Sequence, residues 1–111
     1  MRVVNLSDAE AFESPGHRGV APRWVQGGPG TPVERFTVVL SRYEPGGRAE
    51  PTVQPAETVY VILSGRLTFE SAGDRVLAGP EDTLHFAKGE VRSVTNEGDA
   101  PAGMLVIRAT S

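Results

Sequence analysis

Glycine and proline limit every regular element this chain can build. Thirteen glycines and nine prolines are spread over 111 residues. Inside a helix each would cost about 1 and about 3 kcal/mol, respectively, relative to alanine, and proline also removes a donor from a strand ladder. The segments left between them are short and rich in β-branched and aromatic residues, as in Phe36–Tyr43 (FTVVLSRY) and Thr58–Leu63 (TVYVIL). Such words favour strands. No helical period lasts longer than a turn, so the chain is expected to be all-β.

Taken in order, Arg2–Leu6 reads as a short edge strand. Ser7-Asp8-Ala9-Glu10 resembles a capping box that opens one helical turn through Phe12. Val20–Gln26 reads as a strand centred on Trp24, and Gly27–Pro32 as a loop. After Phe36–Tyr43, Pro45-Gly46-Gly47 reads as a turn and Arg48–Pro55 as an extended segment. Thr58–Leu63 and Arg66–Ser71 read as a hairpin about Ser64-Gly65. Further strands are expected at Arg75–Ala78, Thr83–Ala87, Val91–Asn96 and Gly103–Ala109. About eight to ten short strands at this spacing suit a sandwich or small barrel. One domain is expected over residues 1–111, with N-terminal strands and a loop over 1–32 and the barrel proper over 33–109.

The formal net charge is -3, with both signs mixed along the chain. Nucleic acid as a partner would call for a basic face, and a membrane surface for a basic amphipathic stretch; neither is present. No apolar run is long enough to span a bilayer, and the N-terminus lacks the apolar core of a secretory signal. A cytoplasmic location is expected. The absence of cysteine removes disulfides, thiolate metal sites and thiol nucleophiles. No G-x-S-x-G, P-loop or dinucleotide-binding glycine motif occurs.

The order of turns and strands resembles that of the cupin superfamily. The first motif of that family, G-x5-H-x-H-x3-E-x6-G, falls on Gly46, Thr52, Gln54, Thr58 and Gly65. The second, G-x5-P-x-G-x2-H-x3-N, falls on Glu81, Ala87, Gly89, Arg92 and Asn96. PGG before the first motif, YVILSGRLTF after it and NEGDAPAGMLVI after the second fit as well. The resemblance covers Val33 to Ile107 and implies a jelly-roll barrel, that is, a double-stranded β-helix. In metal-binding members three histidines and a glutamate from these motifs hold a divalent ion. Here the four positions carry Thr52, Gln54, Thr58 and Arg92. Neutral hydroxyl and amide donors beside a permanent positive charge make a poor cation site, so no metal or other cofactor is expected.

Strand alternation gives a first estimate of what faces the barrel interior. Arg48, Glu50, Thr52 and Gln54 share one side of the extended segment, Thr58 and Tyr60 one face of the next strand, and Arg92 and Asn96 one face of a later one. Arg92 has two readings: an anchor for a carboxylate, phosphate or enolate oxygen, or half of a structural ion pair with Glu50 or Glu90. Glu50 is either a solvated loop carboxylate or, if desolvated, a proton carrier. His85 could carry the proton if its side chain turned inward. Tyr60 is a core aromatic or a hydrogen-bonding partner in the site. Thr52, Gln54, Thr58 and Arg48 are either substrate-binding groups or replacements filling the ligand positions. Trp24 and Phe36 are expected in the core or at a subunit interface, with substrate contact as their functional reading. Val59, Val61 and Leu63 form an apolar outer face, and small cupins are often dimers, so a homodimer is expected.

The reading that follows is a metal-independent enzyme acting on a small oxygenated metabolite. It would work by acid/base chemistry and oxyanion stabilisation, as a cyclase, isomerase, dehydratase or lyase; analogy with small members of the family implies the tailoring of secondary metabolites. The alternatives are a non-catalytic small-molecule binding or sensing module and a structural subunit with a filled barrel. An open polar cavity with Glu50 or His85 facing Arg92 favours catalysis, an open cavity without a facing acid or base favours binding, and a cavity plugged by Tyr60, Trp24 and Phe36 favours the structural role.

Overall fold

The computed structural model describes every residue from Met1 to Ser111. A 3-10 turn, Leu6–Asp8, precedes nine strands. These are β1 Glu10–Ala11, β2 His17–Gln26, β3 Phe36–Val53, β4 Thr58–Ser64, β5 Leu67–Ser71, β6 Asp74–Ala78, β7 Thr83–Phe86, β8 Val91–Thr95 and β9 Ala102–Ala109. No helix is long and apolar enough to cross a membrane.

The strands join in the order β6-β5-β8-β3-β9-β4-β7, with β2 also laid along β3 and β1 along β2. β3 organises the molecule. Its first half pairs with β9, from Phe36 opposite Ala109 to Tyr43 opposite Ala102. Its second half pairs with β8, from Arg48 opposite Thr95 to Val53 opposite Val91. One strand therefore belongs to both walls, and the sheet curls into a nearly closed jelly-roll barrel.

Three local expectations are corrected. Arg2–Leu6 forms no strand. Asn5 instead accepts the Ser7 amide at 3.0 Å and caps the 3-10 turn, while the Arg2 guanidinium is tied to Gln26 and the Pro32 carbonyl. Pro45-Gly46-Gly47 does not end a strand but bends β3 in mid-course. The Gly46 amide donates to the Asn96 carbonyl and the Asn96 amide to the Gly47 carbonyl, each at 2.9 Å, so the ladder continues through the bend. Ser64-Gly65 is not a hairpin turn. β4 pairs with β7 and β9, β5 with β6 and β8, and Gly65 carries the chain from one wall to the other. Gly65 has φ +68, and a Cβ there would lie 2.6 Å from the Pro101 carbonyl oxygen. The two-residue hairpin is at Ala72-Gly73, with φ 51 and 83, the pair of positive values a type I′ turn requires.

Alternation on β4 is clean. Thr58, Tyr60 and Ile62 are buried while Val59 and Val61 between them are only half-buried. Tyr60 packs on Phe69 and Phe86, with ring centroids 5.2 and 5.7 Å away. These rings, with Ile62, Leu67 and Val94, form the apolar core. Each large side chain fully buried there contributes on the order of 1.5–3 kcal/mol.

Candidate functional site

Beside this core the barrel retains a cavity of about 190 Å³. Thr37, Val39, Ser41 and Tyr43, alternate residues of β3, share the face that lines it. Met104, Val106 and Arg108 do the same on β9. Pro22 and Trp24 come from β2, Tyr60 from β4 and Arg92 from β8. Phe12 and Ser14 close the N-terminal side, where Phe12 stacks on Trp24 with centroids 4.5 Å apart.

Two guanidinium groups set the electrostatics. Arg92 is only 5% exposed. Its Nε donates to the Tyr60 hydroxyl at 2.8 Å and its Nη1 to the Glu50 carbonyl at 3.3 Å. Arg108 lies opposite Thr58 in the β4–β9 ladder. Its Nε donates to Thr58 Oγ1 and its Nη2 to Gln54 Oε1, both at 3.0 Å. The Tyr60 hydroxyl donates to the same Gln54 oxygen at 3.1 Å. Arg92, Tyr60, Gln54, Arg108 and Thr58 thus form one hydrogen-bonded wall, which fixes both guanidinium planes.

No carboxylate enters this wall. No Asp or Glu lines the cavity. The ion pairs of the chain join Arg18 and Arg48 to Glu50, Arg75 to Glu70 and Glu97, and His85 to Glu57. Both arginines line the cavity without a counter-ion, which is costly for the buried charge of Arg92.

His17, at the start of β2, also lines the cavity and is half-buried. Its Nδ1 lies 3.0 Å from the Pro15 carbonyl, an acceptor only, so Nδ1 carries the proton and Nε2 the lone pair. Burial lowers its pKa from the ordinary imidazole value. The bond to Pro15 opposes that shift, and the charges of Arg92 and Arg108 add to it. A neutral imidazole with a fixed tautomer therefore shares a cavity with two cations. Burial also pushes the Tyr43 phenol well above its usual value, so it remains a hydrogen-bond donor.

The structure separates the sequence-derived candidates. Arg92, Tyr60 and Trp24 line the cavity, and Gln54 and Thr58 stand behind it as partners of Arg108. The others lie elsewhere. The Glu50 carboxylate is half exposed and pairs with Arg48 at 3.4 Å; only the Glu50 carbonyl meets Arg92. Arg48 turns to Thr95. Thr52 is exposed and bonds back to the Glu50 carbonyl. The cause is a register shift in the β3–β8 ladder between Ala49 and Thr52, which breaks simple alternation. His85 is on the outer side of β7, 2.7 Å from Glu57 and 56% exposed. Phe36 is 54% exposed at the start of β3, away from the core. Asn96 is buried, but as a loop clamp to the Tyr43 and Ala100 carbonyls.

Arg108, His17, Tyr43 and Ser41 were missed. Arg108 was accessible through the alternation Met104, Val106, Arg108. His17 was not. A register shift between Arg18 and Val20 changes which parity of β2 faces inward, and Gly19, with φ +63 and a virtual Cβ 3.0 Å from Gly47 Cα, makes that shift possible.

The donor set does not fit the divalent ion held by metal-binding relatives of this fold. No cluster of three or more His, Asp or Glu exists. Gln54 Oε1 already accepts two hydrogen bonds and Thr58 Oγ1 accepts from Arg108. The Arg92 side chain places positive charge beside them.

Comparison with known proteins agrees with this geometry at the level of fold. The sequence model of the cupin domain matches residues 39–108. A β-D-galactosidase of Mycobacterium tuberculosis is 42% identical over 106 residues, covering 96% of this chain and 91% of that protein. Among solved structures, the polyketide cyclase RemF of Streptomyces resistomycificus superposes with a TM-score of 0.88 at 19% identity, over 100% of this chain and 80% of that one. A predicted oxalate decarboxylase of Thermotoga maritima gives 0.84 at 20% identity, over 97% and 98%.

Proposed function

The chain belongs to the cupin domain family, and from that premise we propose that it is a metal-independent cupin enzyme acting by proton transfer on a small oxygenated metabolite. The observation that carries this reading is the pairing of a neutral His17 with two uncompensated guanidinium groups on one cavity. His17 Nε2 removes a proton from carbon next to a carbonyl. Arg92 and Arg108 stabilise the negative oxygen that develops. Tyr43 supplies a hydroxyl proton to that oxygen, since the single Tyr60 proton is held by Gln54. Isomerisation, cyclisation, dehydration and lyase steps all begin in this way. The cavity is smaller than the roughly 300–1,000 Å³ of drug-sized sites, which favours a compact substrate over a polycyclic one. Glu50 and His85 are not the proton carriers in this scheme.

A second reading is supported by the mycobacterial relative: hydrolysis of β-D-galactosides. The usual glycosidase device is a pair of carboxylates about 5 to 9.5 Å apart, and no carboxylate lines the cavity. Under this reading His17 and a tyrosine would have to replace that pair.

Hydrogen–deuterium exchange separates the two. EDTA-treated protein is incubated in D2O with small keto and hydroxy acids, and C–H loss is followed by NMR. Exchange that disappears in His17→Gln supports proton transfer. Release of nitrophenol from an aryl β-D-galactoside, without exchange in any acid, supports the second reading and overturns the first.

A further inference from the structure

Resting on the proton-transfer reading, we propose that the substrate carries a carboxylate group and that this group binds as the counter-ion of the Arg92–Arg108 pair. The chain itself supplies no negative charge to either arginine. Each guanidinium uses its Nε and one Nη to bind the barrel wall. That leaves Arg92 Nη2 and Arg108 Nη1, which donate to no group of the chain. No fully buried polar side-chain atom is unsatisfied, so both nitrogens keep solvent access, and both side chains line the cavity. Two free donors on rigid planes suit the two oxygens of a carboxylate.

The remaining lining describes the rest of the molecule. Val39, Met104 and Val106 give an apolar wall for a short carbon chain. Ser41, Tyr43 and Thr37 offer hydroxyls to a second oxygen function. The cavity of about 190 Å³ lies below the roughly 300–1,000 Å³ of drug-sized sites. A short keto or hydroxy acid matches these walls better than a sugar phosphate, which is bulkier and carries a tetrahedral dianion.

Binding is measured apart from turnover, by calorimetry and thermal shift on the EDTA-treated full chain. The probes are pyruvate, lactate, malonate and benzoate, the amides of lactate and benzoate, and inorganic phosphate, all at constant ionic strength. At least one acid is expected to bind saturably and raise the melting temperature, while its amide does not. Arg108→Gln should weaken that acid by about tenfold or more, the value of a charge-assisted hydrogen bond. Arg42→Gln, on the exposed side of β3, should not. Arg108 is the primary variant because Arg92 is more deeply buried; Arg92→Lys, which keeps the charge but loses the fork, is the second. Equal binding of acid and amide, binding of phosphate alone, no binding of any acid, or unchanged affinity in Arg108→Gln would each overturn the proposal. Carboxylate binding without deuterium exchange would remove only the proton-transfer reading. Exchange in a neutral ketone with no carboxylate bound would remove only this one.

Discussion

Arg92 and His17 reach the same cavity by different routes, and the difference decides what each can do. Arg92 occupies a motif position on β8, whose pairing with β5 carries no register shift, so its place in the motif marks it as inward. His17 arrives through a register shift, and its chemistry is set by burial, by the Pro15 carbonyl and by cations on two other strands. The groups facing it across the cavity are Arg92, Arg108, Tyr43 and Tyr60, with no carboxylate among them. The folded state therefore holds His17 less protonated than the unfolded chain does, at any pH between the two pKa values. In that window the unfolded state binds more protons, so stability falls as pH drops below the usual imidazole value near 6.5. Above it the imidazole is neutral in both states and contributes no slope. Thermal melts between about pH 7 and pH 5 should show this loss, and His17→Gln should reduce the slope. The same ionisation should set the acidic limb of the kcat/KM profile, below the ordinary histidine range.

At the scale of elements, the crossings between walls carry more constraint than the strands. Gly65 is the passage from β4 to β5. A side chain there meets both an unfavourable φ and the Pro101 carbonyl at 2.6 Å. Gly65→Ala should lower stability by at least about 2 kcal/mol, since the backbone conformation alone costs about 1–2 kcal/mol for a residue with a Cβ. Urea denaturation measures it. Asn96 ties the bend of β3 to the β8–β9 connection. Its Nδ2 donates to the Tyr43 and Ala100 carbonyls at 3.0 and 2.8 Å, and its Oδ1 accepts the Gly98 amide at 3.0 Å. Asn96→Ala should cost about 2–4 kcal/mol, from three lost bonds and stranded buried groups. Because Asn96 lies outside the cavity lining, acid binding by the folded fraction should survive. These two residues were visible in the sequence as motif positions, yet their roles were not. The word Ser64-Gly65 has the composition of a hairpin turn, and only its neighbours in space send the chain elsewhere.

For the whole molecule, a net charge of -3 surrounds an interior site with two positive charges. The expected response to metal follows from that sign. Dialysis against EDTA should leave activity unreduced, and adding zinc or manganese should not restore activity to Arg92→Gln, since the arginines and the occupied Gln54 and Thr58 oxygens leave no ligand set. Turnover assays before and after chelation check it. The sequence by itself determined the all-β class, most of the strands and the jelly-roll spacing, because turn residues and strand alternation are local. It also placed Arg92, Thr58 and Tyr60 on inward faces, because the bulge of the β3–β8 ladder falls on β3 and not on the strands that carry them. It could not place Glu50, Thr52 or His17, since register shifts in β2 and β3 depend on which strands lie alongside. The pairing of Arg92 with Arg108 and the lack of any carboxylate near them were decided only by tertiary structure. Charge compensation is a property of distances between residues far apart in the chain, and no local pattern contains it.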